Sequence, residues 1–336
     1  MEREELLRRY ALLCDRLPEG EALAEMDAMR GAYYRTKSYR SGTLLEIEAY
    51  PLLPARQREQ VKRIQPTSEA QRKLNQRNAE KQMIRLAEAN FTERDYYFTG
   101  TIEGPDLPSW KAMQRLVRAF IRRWNRARKK AGLENGKYIY VLEGHEDGDR
   151  KKRLHWHALL EGGLDRAEIK ALWSHGRSRC DELDARGGDG LIPLASYLCK
   201  NPQGKRRWAA SRNLKKPLVS WADRKISARA ARRIADERAA SAAALEKLYP
   251  GHEVIEVEVR TNPYIPGCYI YARMRRTDGH GHGRVSGTGA AHAEQGFSAG
   301  LPAAARHLGA GGRGGRGAGA VPEDAAGARA GRGKGA

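Results

Sequence analysis

Apolar residues recur at helical spacing after Pro108-Ser109, where Met113, Leu116, Val117, Phe120, Ile121 and Trp124 share one face for three turns. That period predicts an amphipathic helix, stopped at Gly132. Arg115, Arg118, Arg122, Arg123, Arg126 and Arg128 cover much of the rest and read as a solvated face. Elsewhere the pattern is that of strands. "YYFTGTI" (96–102) is aromatic and β-branched, and "KYIYVLE" (137–143) follows Asn135-Gly136, which reads as a turn. A charged loop, "GHEDGDRKK", leads from there to "RLHWHALLEG" (153–162), so these two segments are expected to form an antiparallel pair. "TLLEIEAY" (43–50), closed by Pro51 and Pro54, is a further strand, and "HEVIEVEVR" and "CYIYARMR" are two late ones.

Three more helices complete the pattern. "SEAQRKLNQRNAEKQMIRLAEANF" (68–91) is a polar helix, opened by Ser68 with Gln71 three on as a capping box. "LDRAEIKALW" (164–173) has Asp165 as its N-cap and Glu168 to complete the box. "GLIPLASYLCKN" (190–201) carries Pro193 in its first turn, and Leu191, Leu194 and Leu198 form a stripe suited to docking on a sheet. Strands interleaved with helices through short links predict an α+β fold, not a doubly wound parallel sheet.

Composition adds boundaries and a partner. Residues 1–30, with "EELLRRYALLCDRL" amphipathic, form an N-terminal helical segment, and residues 31–278 form the mixed domain. Residues 279–336 are glycine, alanine and arginine with almost no large apolar side chains. Such a tail cannot offset its ordering entropy and is expected to be disordered. With 62 Lys and Arg against 41 Asp and Glu, the formal net charge is +21, which points to nucleic acid; an anionic membrane surface is the weaker reading, because no long apolar stretch or amphipathic anchor stands out. Met1 to Arg9 is a charged run without the apolar centre of a secretory signal, and four widely spaced cysteines form no Cys-x-x-Cys. A cytoplasmic protein is expected.

Chemistry concentrates in two places. On a strand, His155 and His157 face one side and Trp156 the other, so the two imidazoles can converge on one cation. Nine histidines in 336 residues give about 0.24 His-x-His pairs by chance, and a second pair, His280 and His282, lies in the glycine-rich tail, where nothing pre-positions ligands. Glu143, ending the neighbouring strand, distinguishes the first pair. A His-His-Glu set leaves coordination positions open and suits Mg²⁺ or Mn²⁺ when phosphate supplies further oxygens, although His145 is a rival third ligand. Forty residues on, Tyr197 and Lys200 stand at i and i+3 on one helix, where an ammonium favours the phenolate. The loop "QGKRRWAASRNLKKP" sets Lys205, Arg206, Arg207, Arg212, Lys215 and Lys216 around Trp208, a mixture suited to backbone tracking and base stacking.

In this order the segments "YYFTGTI", "LHWHALL" and "YLCK" resemble the three motifs of the HUH endonuclease superfamily, and specifically the rolling-circle replication initiators of bacterial plasmids and phages. The resemblance covers roughly residues 40–276. It implies an antiparallel sheet of four or five strands with flanking helices in an RRM-like arrangement, and a divalent metal held by His155, His157 and Glu143. It further implies nicking of single-stranded or hairpin origin DNA by Tyr197, assisted by Lys200, through a 5′-phosphotyrosine that leaves a free 3′-OH primer. Asn201 and Pro193 occupy the neighbouring turns, so only one tyrosine is available. The histidines precede the tyrosine, unlike the order in conjugative relaxases. No helicase-like P-loop occurs, so a host helicase and DNA polymerase are expected partners. A single-tyrosine transposase or relaxase, and a non-catalytic DNA-binding regulator, are the alternatives.

Overall fold

The computed structural model describes residues 4, 8, 32–53, 68–104, 108–144, 154–185, 188–200, 208–262 and 265–277. The tail from 279 and nearly all of residues 1–30 lie outside them; Glu4 and Arg8 have helical backbone. The described strands form two five-stranded sheets, and every pairing is antiparallel. The α+β class stands. The second sheet goes beyond the single one that the sequence leads one to expect.

The first sheet has the order β6-β3-β5-β4-β7, from β3 (Tyr96–Thr101), β4 (Tyr138–Glu143), β5 (His155–Leu160), β6 (Ser178–Glu182) and β7 (Ala209–Ala210). One face is its core. Phe98, Tyr140, Trp156, Ala158 and Leu160 pack there under α2 (Trp110–Lys130), through the predicted Met113, Val117, Phe120 and Trp124. Ile169 and Trp173 close the same cluster, Ile169 from α3 (Arg166–Ala171), whose Asp165–Glu168 capping box forms as the sequence predicts. Ser109 caps α2.

Two local readings need correction. Arg128 is buried, not solvated: Nε donates to Glu134 O at 2.9 Å, Nη1 to Gly162 O at 2.5 Å, and Nη2 meets Glu161 Oε2 at 3.2 Å. The guanidinium satisfies carbonyls that helix and strand ends leave open. Asn135-Gly136 is no hairpin turn either. The backbone there is irregular, and a Cβ on Gly136 would sit 2.1 Å from the Trp124 ring, so glycine is required for close packing.

The second sheet has the order β8-β1-β2-β10-β9, from β1 (Tyr33–Ser41), β2 (Leu44–Leu52), β8 (Leu218–Asp223), β9 (His252–Asn262) and β10 (Ile265–Arg276). Alternation splits β2 cleanly. Leu45, Ile47 and Ala49 join Ile270, Ala272 and Met274 against α5 (Ala228–Asp236) and α6 (Arg238–Leu248). Glu46 and Glu48 face the other way and are buried. Pro51 does not close the strand but lies within it, opposite Tyr34.

What buries the two glutamates is α1 (Ser68–Asn90), the polar helix. Lys81, Arg85 and Glu88 fall at i, i+4 and i+7 on one face. Lys81 Nζ meets Glu48 Oε1 at 2.9 Å, Arg85 pairs with Glu46, and Glu88 pairs with Arg275 at 3.0 Å. Leu74, Met83, Ile84 and Ala87 bury its remaining inner surface. The Ser68 side chain of the predicted Ser68–Gln71 capping box lies outside the described residues. Ser68 is already helical, and the Gln71 side chain donates forward to Asn75 Oδ1 at 2.8 Å.

Candidate active site

Edge-to-edge pairing of β4 with β5 sets Glu143 directly opposite His155. On the next pairing over, Thr99 of β3 stands opposite His157. His155 and His157 project from one face, with ring centroids 4.9 Å apart, while Trp156 is fully buried on the other, packed 4.9 Å from both Phe98 and Phe120. Trp156 can lie flat across β3 only because Gly100 is its partner, where a Cβ would come within 2.2 Å of the indole nitrogen.

One Glu143 oxygen, Oε2, stands 3.7 Å from His155 Nε2 and 3.6 Å from His157 Nε2. These are too long for hydrogen bonds. His157 Nε2 is buried and has no hydrogen-bond partner, which is costly unless something else occupies its lone pair. One ligand atom from each of the three residues lies within 4.8 Å of the others, a spacing at which they could hold a metal ion. Protonation states agree with that use. Burial lowers the pKa of His157, against the pull of Glu143, so the ring favours the neutral form that ligates. His155, then His157, holds the Glu143 carboxyl well below the usual carboxylate range.

The other nitrogen of His157 is anchored from β3. Nδ1 lies 2.7 Å from the Tyr97 hydroxyl and 3.1 Å from Thr99 Oγ1, and the Tyr97 ring stacks on the imidazole at 5.6 Å with planes 5° apart. With the proton on Nδ1, either oxygen accepts it and Nε2 is left free to coordinate. The sequence marks Thr99 only as part of a strand motif and gives Tyr97 no role. The signal is the i, i+2 spacing of Tyr97 and Thr99, legible only once β3 is known to pair with β5.

Tyr197 lies on α4 (Ile192–Cys199), 36% exposed. Burial and then the Glu143 charge raise its pKa. The charge on Glu143 therefore works against the phenolate. Lys200 is exposed at the helix end, its backbone N–H donating to Tyr197 O at 3.1 Å. The predicted leucine stripe is only partly right, because Ala195, Leu198 and Cys199 are buried whereas Leu194 is intermediate. The helix packs against α1. Glu88 Oε1 accepts Leu191 N–H at 2.8 Å, Cys199 Sγ meets Met83 Sδ at 3.2 Å, and Gln76 donates to Cys199 O at 2.7 Å.

Residues 95–202 match the family model of the replication-associated protein ORF2. This is a rolling-circle replication initiator family of the HUH type, and the match bears out the resemblance carried by the three motifs. No curated protein and no solved structure matches the chain. The matched stretch holds Tyr97, Thr99, Glu143, His155, His157, Tyr197 and Lys200. It leaves out α1 and every strand of the second sheet.

The remaining sequence candidates are dispersed. Arg212, Lys215 and Lys216 are exposed, and Asn90 pins the Lys215 backbone through both its N–H (2.7 Å) and its carbonyl (2.9 Å). Trp208 is half-buried, its indole N–H donating to Ala79 O at 3.3 Å, which ties it to α1. Lys205, Arg206, Arg207 and the rival ligand His145 lie outside the described residues. Arg123, read from the sequence as part of a solvated face, donates to Leu172 O at 2.9 Å. No helix among the described residues is long and apolar enough to cross a membrane.

Proposed function

We propose that this protein initiates rolling-circle replication by nicking single-stranded or hairpin origin DNA, with Tyr197 as the nucleophile. The observation that carries the reading is the buried, unpartnered His157 Nε2 facing Glu143 and His155 beside a half-exposed tyrosine. His155, His157 and Glu143 would hold Mg²⁺ or Mn²⁺. Such a cation, when bound, polarises a phosphate and offsets the negative charge that Glu143 otherwise sets against the phenol.

The chain's own groups do the rest. Tyr97 and Thr99 fix the His157 ring so that its Nε2 lone pair keeps its direction. The three contacts from α1 hold the Tyr197 helix in register with the sheet, which is the positioning an in-line displacement needs. The Tyr197 oxygen forms the new bond to phosphorus while the bond to the 3′-oxygen breaks. The phenol loses one proton and the 3′-oxygen gains one, giving a 5′-phosphotyrosine and a free 3′-OH. Lys200, at the end of the same helix, would contact the phosphate rather than lower the pKa of the phenol. Lys205, Arg206, Arg207, Arg212, Lys215 and Lys216 would follow the strand backbone, with Trp208 anchoring their loop. A host helicase would unwind the duplex and a DNA polymerase would extend the primer.

The test incubates the protein and Tyr197→Phe with labelled single-stranded DNA from the origin of the parent element and Mn²⁺. An SDS-resistant DNA adduct is expected with the unaltered protein and not with the variant. Absence of adduct on every such origin overturns the reading in favour of a non-catalytic regulator.

A further inference from the structure

Outside the matched stretch, between α1 and the polar face of the second sheet, lies a cavity of about 630 Å³. Six basic side chains line it against three acidic ones, among them Lys37, Arg77, Lys81, Arg85 and Arg260. The basic groups are held in place. Lys37 is buried, its ammonium 4.7 Å over the Tyr39 ring and 4.8 Å over Trp221. Arg85 also stacks on Tyr39, at 3.3 Å, and Lys81 donates to Tyr269 at 3.3 Å and lies 3.7 Å over Tyr271. Such packing pre-organises cations, as a phosphate site requires.

Several of these cations already have a carboxylate, Lys81 from Glu48, Arg85 Nε from Glu46 and Arg260 from Glu258, but two positions differ. Arg85 Nη2, buried in the wall, has no hydrogen-bond partner and stands 3.7 Å from Glu48. Lys37 Nζ takes its carboxylate from Glu4, a residue 59% exposed whose chain neighbours lie outside the described residues. A buried ammonium needs an anion beside it, whereas an exposed glutamate gives up little when it leaves. Glu4 therefore stands where another anion would fit.

A single stretch of α1 touches both the Tyr197 helix and the cavity. Gln76 holds the end of the Tyr197 helix and Ala79 holds Trp208, while Arg77, Asn78, Lys81 and Gln82, from the same two turns, line the cavity. We propose that this cavity is a phosphate-binding subsite for the DNA strand that reaches Tyr197, with the Glu4 carboxylate as a displaceable occupant. The assignment of the strand rests on the nicking function proposed above; the anion site rests on the cavity alone.

Full-length protein carrying Tyr197→Phe is titrated with a fluorescent 20-nucleotide oligothymidylate in EDTA, by anisotropy, across a salt series. Arg77→Gln, on a half-buried helix position, is expected to weaken binding three- to tenfold and to reduce the salt slope by about 0.7, the loss of one single-strand phosphate contact. Glu4→Gln is expected to tighten binding about threefold. Circular dichroism melts check that both variants are folded. Unchanged affinity and slope in both folded variants overturn the subsite. A parallel titration with thymidine monophosphate separates the sources of phosphate: binding of the mononucleotide that depends on Arg77, with no Arg77 effect on the oligonucleotide, overturns the strand assignment. Adduct formation is scored separately in the Tyr197 protein. If no adduct forms while the Arg77 and Glu4 effects persist, the nicking reading falls and the anion site stands; adduct with unaffected variants does the reverse.

Discussion

Gly100→Ala isolates the link between core packing and the candidate metal centre. The added Cβ would lie 2.2 Å from Trp156 Nε1 and 3.0 Å from two further indole atoms, where ordinary contact begins at 3.4 Å. Something must give by about 1.2 Å. The indole has little room to retreat, because it is fully buried among Phe98, Phe120 and Trp173, at 4.9, 4.9 and 5.4 Å. The displacement therefore passes to the backbone of β5, which carries His155 and His157 on either side of Trp156. Overpacking of this kind costs about 1–3 kcal/mol, read as a lower urea midpoint with unchanged slope. Metal sites tolerate far less than an ångström of drift, so the affinity for Mn²⁺, measured by calorimetric titration, is expected to fall at least tenfold. Gly188→Ala is the control, since a Cβ there meets nothing within 4 Å. If Gly100→Ala matches wild type in both midpoint and Mn²⁺ affinity, the coupling of Trp156 packing to the histidine pair is refuted.

Two further outcomes follow from the same contacts. Tyr97→Phe leaves Thr99 as the sole β3 oxygen on His157 Nδ1 and is expected to lower Mn²⁺ affinity about tenfold while the melting temperature changes little; an unchanged affinity would dismiss Tyr97 as an orienting group. For Glu48, burial favours the neutral acid, but Lys81 and Arg85 prevail and hold the carboxyl at about 2, against an ordinary 4.5. A carboxyl depressed on folding contributes stability that is full above pH 4.5 and is lost as pH falls towards 2, at most about 3 kcal/mol here. Burial of Lys81, whose pKa is lowered, takes back part of that at neutral pH. Urea midpoints of wild type and Glu48→Gln are thus expected to converge between pH 5 and pH 2, and parallel curves would contradict the assignment.

Much of the site was written in local sequence. Period-two alternation put His155 and His157 on one face, the loop between β4 and β5 forced their antiparallel pairing, and that register brought Glu143 opposite His155. The Asp165 capping box, the Ser109 N-cap and the apolar face of α2 are likewise short-range, each fixed by residues within a few turns. What escaped was non-local. "TLLEIEAY", "HEVIEVEVR" and "CYIYARMR" read correctly as strands, but nothing in a strand's own pattern says which sheet it joins, and all three lie in a second one.

Charge was the other blind spot. Arg128, Glu46, Glu48 and Arg85 look solvent-bound by residue type, yet each is buried against a partner more than thirty positions away. Glu88 and Arg275, 187 residues apart, are a further instance, and Glu88 also fixes the start of the Tyr197 helix. The sequence by itself determined six of the ten described strands, four of the six helices, the Asp165 cap and the face that carries His155 and His157, because those follow from backbone periodicity and neighbouring hydrogen bonds. Only the tertiary structure decided that a polar helix fills the space beside a polar sheet and holds the Tyr197 helix in place, because a buried charge is stable only where the fold delivers its counter-charge.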